Sequence, residues 1–241
     1  MEQILQVNAL SFTCPDGDGK RVIFDHTSLA FEEGTFYAVT GDSGFGKTTF
    51  LYIIGGLEND YEGTVACQGK NIRDISLDAY HRSHVSMIFQ NYNLIEYLTP
   101  LENLLLAMDI SDAAGKPDKK QAQEILASLG IEGTKAERKT SLLSGGEKQR
   151  TAIARSLASN AKIIIADEPN GNLDAGTALE AAEILQSAAH DKGRCVIMVT
   201  HNEKLAEMAD VRYHINQETH TIDRIQEFQK NGTADSLPFS E

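Results

Sequence analysis

Cysteine, basic charge and long apolar runs are all scarce in this chain of 241 residues, and each shortage removes a class of protein. The three cysteines, Cys14, Cys67 and Cys195, are odd in number, far apart and without a CxxC spacing. Neither a disulfide framework nor a cysteine metal site is read, and a reducing cytosol is expected. Lys and Arg number 22 against 35 Asp and Glu, a formal net charge of −13. That balance argues against nucleic acid as a partner, because a phosphate backbone calls for a basic face. No stretch approaches the roughly 18 consecutive apolar residues of a membrane span. Met1-Glu2-Gln3 starts no basic segment ahead of an apolar one, so no signal peptide is expected. What is present, 41% hydrophobic and 24% charged residues, is the composition of a globular cytosolic chain, long enough for one large domain or a core with a smaller subdomain.

The first third reads as strands. Residues 4–12 and 22–31 are rich in β-branched and aromatic side chains, with Pro15-Asp16-Gly17-Asp18-Gly19 as the expected turn. A short apolar strand follows at 36–40, then a glycine-rich loop, a helix over 48–57 and two further strands at 63–67 and 84–89. From about 101 to 159 the pattern is helical, with Pro117 expected in the first turn of a helix and Gly130 just past its end. The last third alternates strand 162–166, helix 175–190, strand 195–200 and helix 203–209. Such alternation marks a mainly parallel α/β sheet. The polar tail, 229–241, is expected to be mobile.

Gly41-Asp42-Ser43-Gly44-Phe45-Gly46-Lys47-Thr48 matches G-x-x-x-x-G-K-[ST] between an expected strand and an expected helix. Glycines let successive backbone N–H groups turn toward phosphate oxygens, and the helix N-terminus adds positive dipole. Lys47 would reach the β- and γ-phosphates and the Thr48 hydroxyl would bind Mg²⁺. Chance produces the pattern together with its third glycine, Gly44, at roughly 2 × 10⁻⁶ per starting position. A nucleotide triphosphate site is therefore expected, with Thr49 beside it.

Leu143-Ser144-Gly145-Gly146-Glu147-Lys148-Gln149-Arg150 opens a helix and admits two readings. Ser144 and Glu147 form S-x-x-E, a capping box. Alternatively, two glycines in a first turn, costly for a helix, allow a phosphate from another molecule to approach the bare N-terminus.

Taken together, these segments resemble the ATP-binding-cassette family, whose signature motif is commonly LSGGQ. The phosphate loop at 41–48, the signature at 143–147 and Ile163-Ile164-Ile165-Ala166-Asp167-Glu168-Pro169 occur in the family's order. Gln90 resembles its Q-loop, Asn172-Leu173-Asp174 its D-loop and His201 its switch histidine. The resemblance covers about residues 3–226 and implies a P-loop NTPase, RecA-like α/β core. It further implies an N-terminal antiparallel β subdomain and an α-helical subdomain inserted at about 92–160, the ATPase domain spanning 1–228.

The resemblance also implies an ATP hydrolase, with ATP and Mg²⁺ as cofactors. Asp167, at the end of a buried strand, would hold Mg²⁺ together with Thr48 and Gln90, and Glu168 would be the general base polarising the attacking water. His201 would contact the γ-phosphate, and Gln90 would report nucleotide state to a partner. Phe12 matches the position where an aromatic ring stacks on adenine, although an ordinary core aromatic also fits there. Ser144, Gly145 and Gly146 would complete the site of a second copy in a head-to-tail dimer formed on ATP binding, and Glu147 and Asp174 are also expected to bind the nucleotide.

Two positions depart from the family pattern. Phe45 stands where a small residue is usual; its N–H can still serve, but its ring bears on dimer closure. Asn170 follows the Asp-Glu-Pro run in place of Thr or Ser. Residues 89–103 and Gly171-Asn172-Leu173-Asp174 resemble the branch of macrolide exporters, lipoprotein-release ATPases and bacitracin-resistance-type transporters. That branch implies a separate transmembrane permease docking near Gln90, a location at the inner face of the membrane, and export of peptides, antibiotics or lipoproteins. The alternative is a non-transport ABC ATPase regulating a membrane partner, as in cell division. A small-molecule P-loop kinase would leave the signature and His201 unexplained.

Overall fold

The computed structural model describes residues 2–17, 19–111, 117–169 and 175–225. Three segments are buried at every position: β3 (Phe36–Thr40), β7 (Ile163–Asp167) and β8 (Cys195–Val199). Strands covered on both faces read as continuous apolar runs, and these three are the centre of a parallel sheet. The sheet has the order β10-β9-β3-β8-β7-β6, completed by β6 (Val85–Ile88), β9 (Val211–Asn216) and β10 (Thr221–Ile225). All its pairings are parallel except that of β10 with β9. A second, antiparallel sheet has the order β2-β1-β4-β5, from β1 (Gln3–Asp16), β2 (Gly19–Glu32), β4 (Glu62–Cys67) and β5 (Lys70–Asn71).

Side chains alternate across the parallel sheet and divide the core in two. Ile163, Ile165, Ile197 and Val199 face the antiparallel sheet, where they join Phe31, Val65, Tyr80 of α2 (Leu77–Ser83) and Phe50 of α1 (Lys47–Ile54). Ile164, Ala166, Val196 and Met198 face the opposite way. They meet Leu104 of α3 (Pro100–Ile110), Leu126 of α4 (Lys119–Ser128), Ile153 of α6 (Gly145–Ala158) and Leu185 of α7 (Ala175–His190). Each large apolar side chain so buried contributes about 1.5–3 kcal/mol. Two short helices, α5 (Thr134–Glu137) and α8 (Glu203–Ala206), complete the set. Among the described residues, no helix is long and apolar enough to cross a membrane.

The parallel α/β core, the antiparallel sheet near the N-terminus and the helices inserted between β6 and β7 agree with the expected fold. Several local expectations are corrected. Pro15 and Asp16 lie in β1, paired with Lys20 and Gly19, so the hairpin turn is shorter than the Pro-Asp-Gly-Asp-Gly run suggested. Pro15 is tolerated because the pairing of β1 with β4 stops at Ser11, and the missing N–H faces no third strand. Pro117 precedes its helix: Asp118 is the N-cap, accepting from the N–H groups of Lys120 and Gln121. The segments forming α2, β5, β9 and β10 carried no expectation, and the helix expected over 203–209 is a single turn. The tail at 229–241 lies outside the described residues.

Candidate functional site

The strand order places the C-terminal ends of β3, β8 and β7 side by side, and in such sheets ligands bind at that edge. The phosphate loop leaves β3 at Thr40 and enters α1 at Lys47. Gly46 is the N-cap in a left-handed conformation, φ +90°. A Cβ there would lie 2.3 Å from Ile23 Cγ2 and 3.1 Å from Phe24 Cζ, so the second sheet admits only glycine. Among the described residues no side chain caps α1 and its first turn carries no acidic residue, which leaves the N-terminal N–H groups and the dipole open to an anion. Lys47 is 5% exposed and its Nζ donates to the carbonyl oxygens of Gly41 and Asp42, both at 2.8 Å.

Facing this loop, β7 ends in Asp167 and β8 leads into His201. Thr48 Oγ1 donates to Asp167 Oδ1 at 3.3 Å. Burial pushes the Asp167 carboxyl above the ordinary aspartate range, and the Glu168 charge adds to that, against the Thr48 bond and the Lys47 charge. A buried carboxylate paired with a hydroxyl oxygen suits a hard cation, so Thr48 and Asp167 could hold Mg²⁺. Glu168 has φ +42°, a left-handed conformation unusual for a side chain of its size, and its N–H donates to Val199 O at 3.1 Å. His201 Nδ1 lies 3.2 Å from Glu168 Oε1. Five of the expected residues, Lys47, Thr48, Asp167, Glu168 and His201, thus meet at one edge from three separate stretches of chain.

Ser144 caps α6 and both arms of the capping box form. Glu147 N donates to Ser144 Oγ at 3.3 Å, and Ser144 N to Glu147 Oε2 at 2.9 Å. The Ser144 N–H bond holds the Glu147 carboxyl below the usual range, and Lys135 Nζ sits 3.3 Å away. One of the two glycines has a use within the chain itself: a Cβ on Gly146 would come 3.1 Å from Thr177 Cγ2 of α7.

The remaining expected positions are more scattered. Gln90 is exposed, two residues beyond β6. Phe12 is half-buried against the first core cluster, opposite Phe24 in the hairpin. Ser43 and Gly44 are exposed in the loop, and Thr49 is half-buried in α1. Asp174, with Asn170 and the rest of 170–174, lies outside the described residues. Phe45 is half-buried, its ring centre 5.0 Å from the Arg21 guanidinium carbon of β2. The ring is packed on its own chain, in a contact worth about 0.5–1 kcal/mol at an exposed site. Phe45→Ser should therefore change ATP affinity by no more than about fivefold. Equilibrium binding of a fluorescent ATP analogue checks this, and a loss of fiftyfold would show that the ring shapes the loop.

Residues that the sequence reading did not single out hold the segment after Gln90 against α3, the turn at 140–142 and the signature helix. Asn103, 2% exposed, donates from Nδ2 to the carbonyls of Ile95 and Thr99 at 3.2 and 3.0 Å, while Ile95 N donates to its Oδ1 at 2.9 Å. Arg155 of α6 donates to the carbonyls of Tyr92, at 3.1 Å, and Asn93. Thr140 N pairs with Leu98 O at 2.9 Å and Ser141 N with Glu96 O at 3.1 Å. A half-buried arginine carries no local signal of bonds to residues some sixty positions away, and a buried asparagine none of its bonds to the loop ahead of its own helix.

The comparisons with known proteins agree with this geometry. A family model described as ABC transporter matches residues 24–171. The chain is 36% identical over 220 residues to the lipoprotein-releasing system ATP-binding protein LolD of Treponema denticola, covering 89% of this chain and 96% of LolD. It is also 36% identical over 196 residues to the macrolide export ATP-binding/permease protein MacB of Hyphomonas neptunium, covering 80% of this chain but 30% of MacB. Among solved structures, the dimeric post-hydrolysis state of the ATP-binding cassette MJ0796 bound to ADP and Pi superposes with a TM-score of 0.82 at 30% identity, covering 93% of this chain and all of that one.

Proposed function

This chain belongs to the ABC transporter family, and from that premise we propose that it powers a separate membrane permease in the export or extrusion of peptides, antibiotics or lipoproteins. It is the ATP-binding subunit and an ATP hydrolase. The observation that carries the catalytic reading is the meeting of Lys47, Thr48, Asp167, Glu168 and His201 at one sheet edge.

The chemistry follows from those positions. The triphosphate lies over the N-terminus of α1, and Lys47 exchanges its bonds to Gly41 and Asp42 for phosphate oxygens. Thr48 and Asp167 would hold Mg²⁺, which would neutralise charge on the triphosphate, and Gln90 is assigned to the same ion. Glu168 accepts the proton of the attacking water as its oxygen bonds to Pγ. The bond from Pγ to the bridging oxygen breaks, and ADP leaves with the electron pair. His201, in contact with Glu168, keeps that carboxylate oriented and reaches toward the γ-phosphate. Ser144, Gly145, Gly146 and Glu147 contribute to the site of a second copy, a reading supported by the dimeric state of the similar cassette. Phe12 is assigned to adenine stacking and Asp174 to nucleotide binding.

Export is favoured by the similarity to LolD, of a lipoprotein-releasing system, and to MacB, a macrolide exporter that joins an ATP-binding part to a permease in one chain. The helical subdomain, taken as about 92–160, supplies the docking face. Tyr97 is 71% exposed and Leu142 67% exposed, on two segments paired by the Ser141–Glu96 bond. Both flank the loop that follows Gln90, so a permease segment seated there would sense the nucleotide and hold the chain at the inner face of the membrane. The test is a pull-down of tagged Glu168→Gln protein from detergent-solubilised native membranes with ATP and Mg²⁺. A permease with a large extracytoplasmic domain is expected, and Tyr97→Asp with Leu142→Asp should remove it without lowering soluble ATPase activity. Recovery of a division or assembly protein instead would move the chain to a non-transport role.

A further inference from the structure

The second position of the phosphate loop is an aspartate, and a carboxylate is a poor neighbour for a triphosphate. Like charges in a partly desolvated site repel, and an aspartate at a ring of N–H donors can itself occupy them. In this chain the Asp42 carboxylate is directed elsewhere. Gln217 Nε2 donates to Asp42 Oδ2 at 2.6 Å, across most of the length of the sequence. Asp42 also lends its carbonyl oxygen to Lys47, so its backbone and side chain are both engaged.

Gln217 follows the last residue of β9, in a turn that is fixed on several sides. Asn216 Oδ1 accepts from Glu218 N at 2.9 Å and Thr219 N at 3.3 Å. Asp25 N of β2 donates to His220 O at 2.8 Å, and Ile222 N donates to Thr27 Oγ1 at 3.3 Å. The strand leading into the turn lies against the loop itself, since a Cβ on Gly41 would be 3.2 Å from Ile215 Cβ. Gln217 is therefore presented to Asp42 from a platform tied to both sheets.

We propose that Gln217 is a positioning residue of the phosphate loop: its amide holds the Asp42 carboxylate against the β9–β10 turn, away from the mouth of the loop, and so sets the affinity for the triphosphate. The inference rests on the reading of this loop as the ATP site. Released from Gln217, the carboxylate competes with the γ-phosphate for the same donors. The cost falls on binding and leaves the chemical step of bound ATP untouched.

Gln217→Glu tests this, because it keeps the shape and replaces the donor with a second negative charge. The Kd and KM for ATP should rise about tenfold, the effect of losing one hydrogen bond to a charged group at the low end of its range, while kcat at saturating ATP stays within about twofold. The rise should shrink at high salt. In an Asp42→Asn background the same substitution should change Kd by less than about twofold, because no charge remains to be held aside. An unchanged Kd in Gln217→Glu would overturn the proposal, and so would an equal loss in both backgrounds, which would mark a general effect on loop shape. Thermal melting verifies that each variant is folded; should Gln217→Glu melt early, Gln217→Ala is read against the same outcomes. Failure of the unsubstituted protein to bind ATP would instead strike the ATP-site reading, and this proposal with it.

Discussion

Glu168→Gln protein should bind ATP as tightly as the unsubstituted chain and yet turn over at least about 100-fold more slowly, since a positioned general base contributes roughly 10²–10⁴ in rate. The substitution is nearly isosteric and retains the hydrogen-bonding edge toward His201, 3.2 Å away, while removing the capacity to take a proton. It does not touch the backbone bond from Glu168 N to Val199 O, so the left-handed turn at the end of β7 should persist. With chemistry blocked, the ATP-bound state accumulates. On a sizing column with saturating ATP the variant should elute as a dimer, and without ATP at the smaller size. A monomer at saturating ATP would count against the head-to-tail arrangement, and turnover within tenfold of normal would move the base to another residue.

Lys47→Ala should be worse at an earlier step. The ammonium is almost fully buried and is the donor to two loop carbonyls at 2.8 Å. Its removal strips the triphosphate of its nearest cation and leaves the carbonyls of Gly41 and Asp42 without that donor. Two charge-assisted hydrogen bonds at about 1.5 kcal/mol each give about 3 kcal/mol, or roughly a hundredfold in affinity. ATP binding by calorimetry should fall at least that far, with Mg-ATPase activity lost in parallel. Binding within tenfold of the unsubstituted protein would overturn the assignment of the phosphate loop. The two variants separate the steps: Lys47→Ala fails to bind, whereas Glu168→Gln binds and waits.

The candidate site was legible in the sequence where its chemistry is carried by contiguous residues. A loop of three glycines, a lysine and a threonine between a strand and a helix states its function locally, because backbone N–H groups can converge on phosphate only over such a short stretch. The buried runs Ile163–Asp167 and Cys195–Val199 likewise announced central strands and the edge from which Asp167, Glu168 and His201 project. The S-x-x-E cap was readable too, but the use of Gly146 was not. The residue that a Cβ there would press on, Thr177, belongs to another helix.

What the sequence by itself determined was therefore the kind of fold, an α/β phosphate-binding core with inserted helices, and the identity of the reacting groups. The two strands at the β10 end of the sheet escaped it. Val211–Asn216 and Thr221–Ile225 are short and half polar, and the turn between them reaches its left-handed residue at His220, φ +56°, without a glycine to mark it. Only the tertiary structure decided how the pieces bear on each other. It placed Asn103 and Arg155 on the segment after Gln90, Arg21 over Phe45 and Gln217 on Asp42. The contacts of Arg155, Arg21 and Gln217 join residues far apart in the chain, where no periodicity operates, and Gln217 meets Asp42 because β9 lies beside β3.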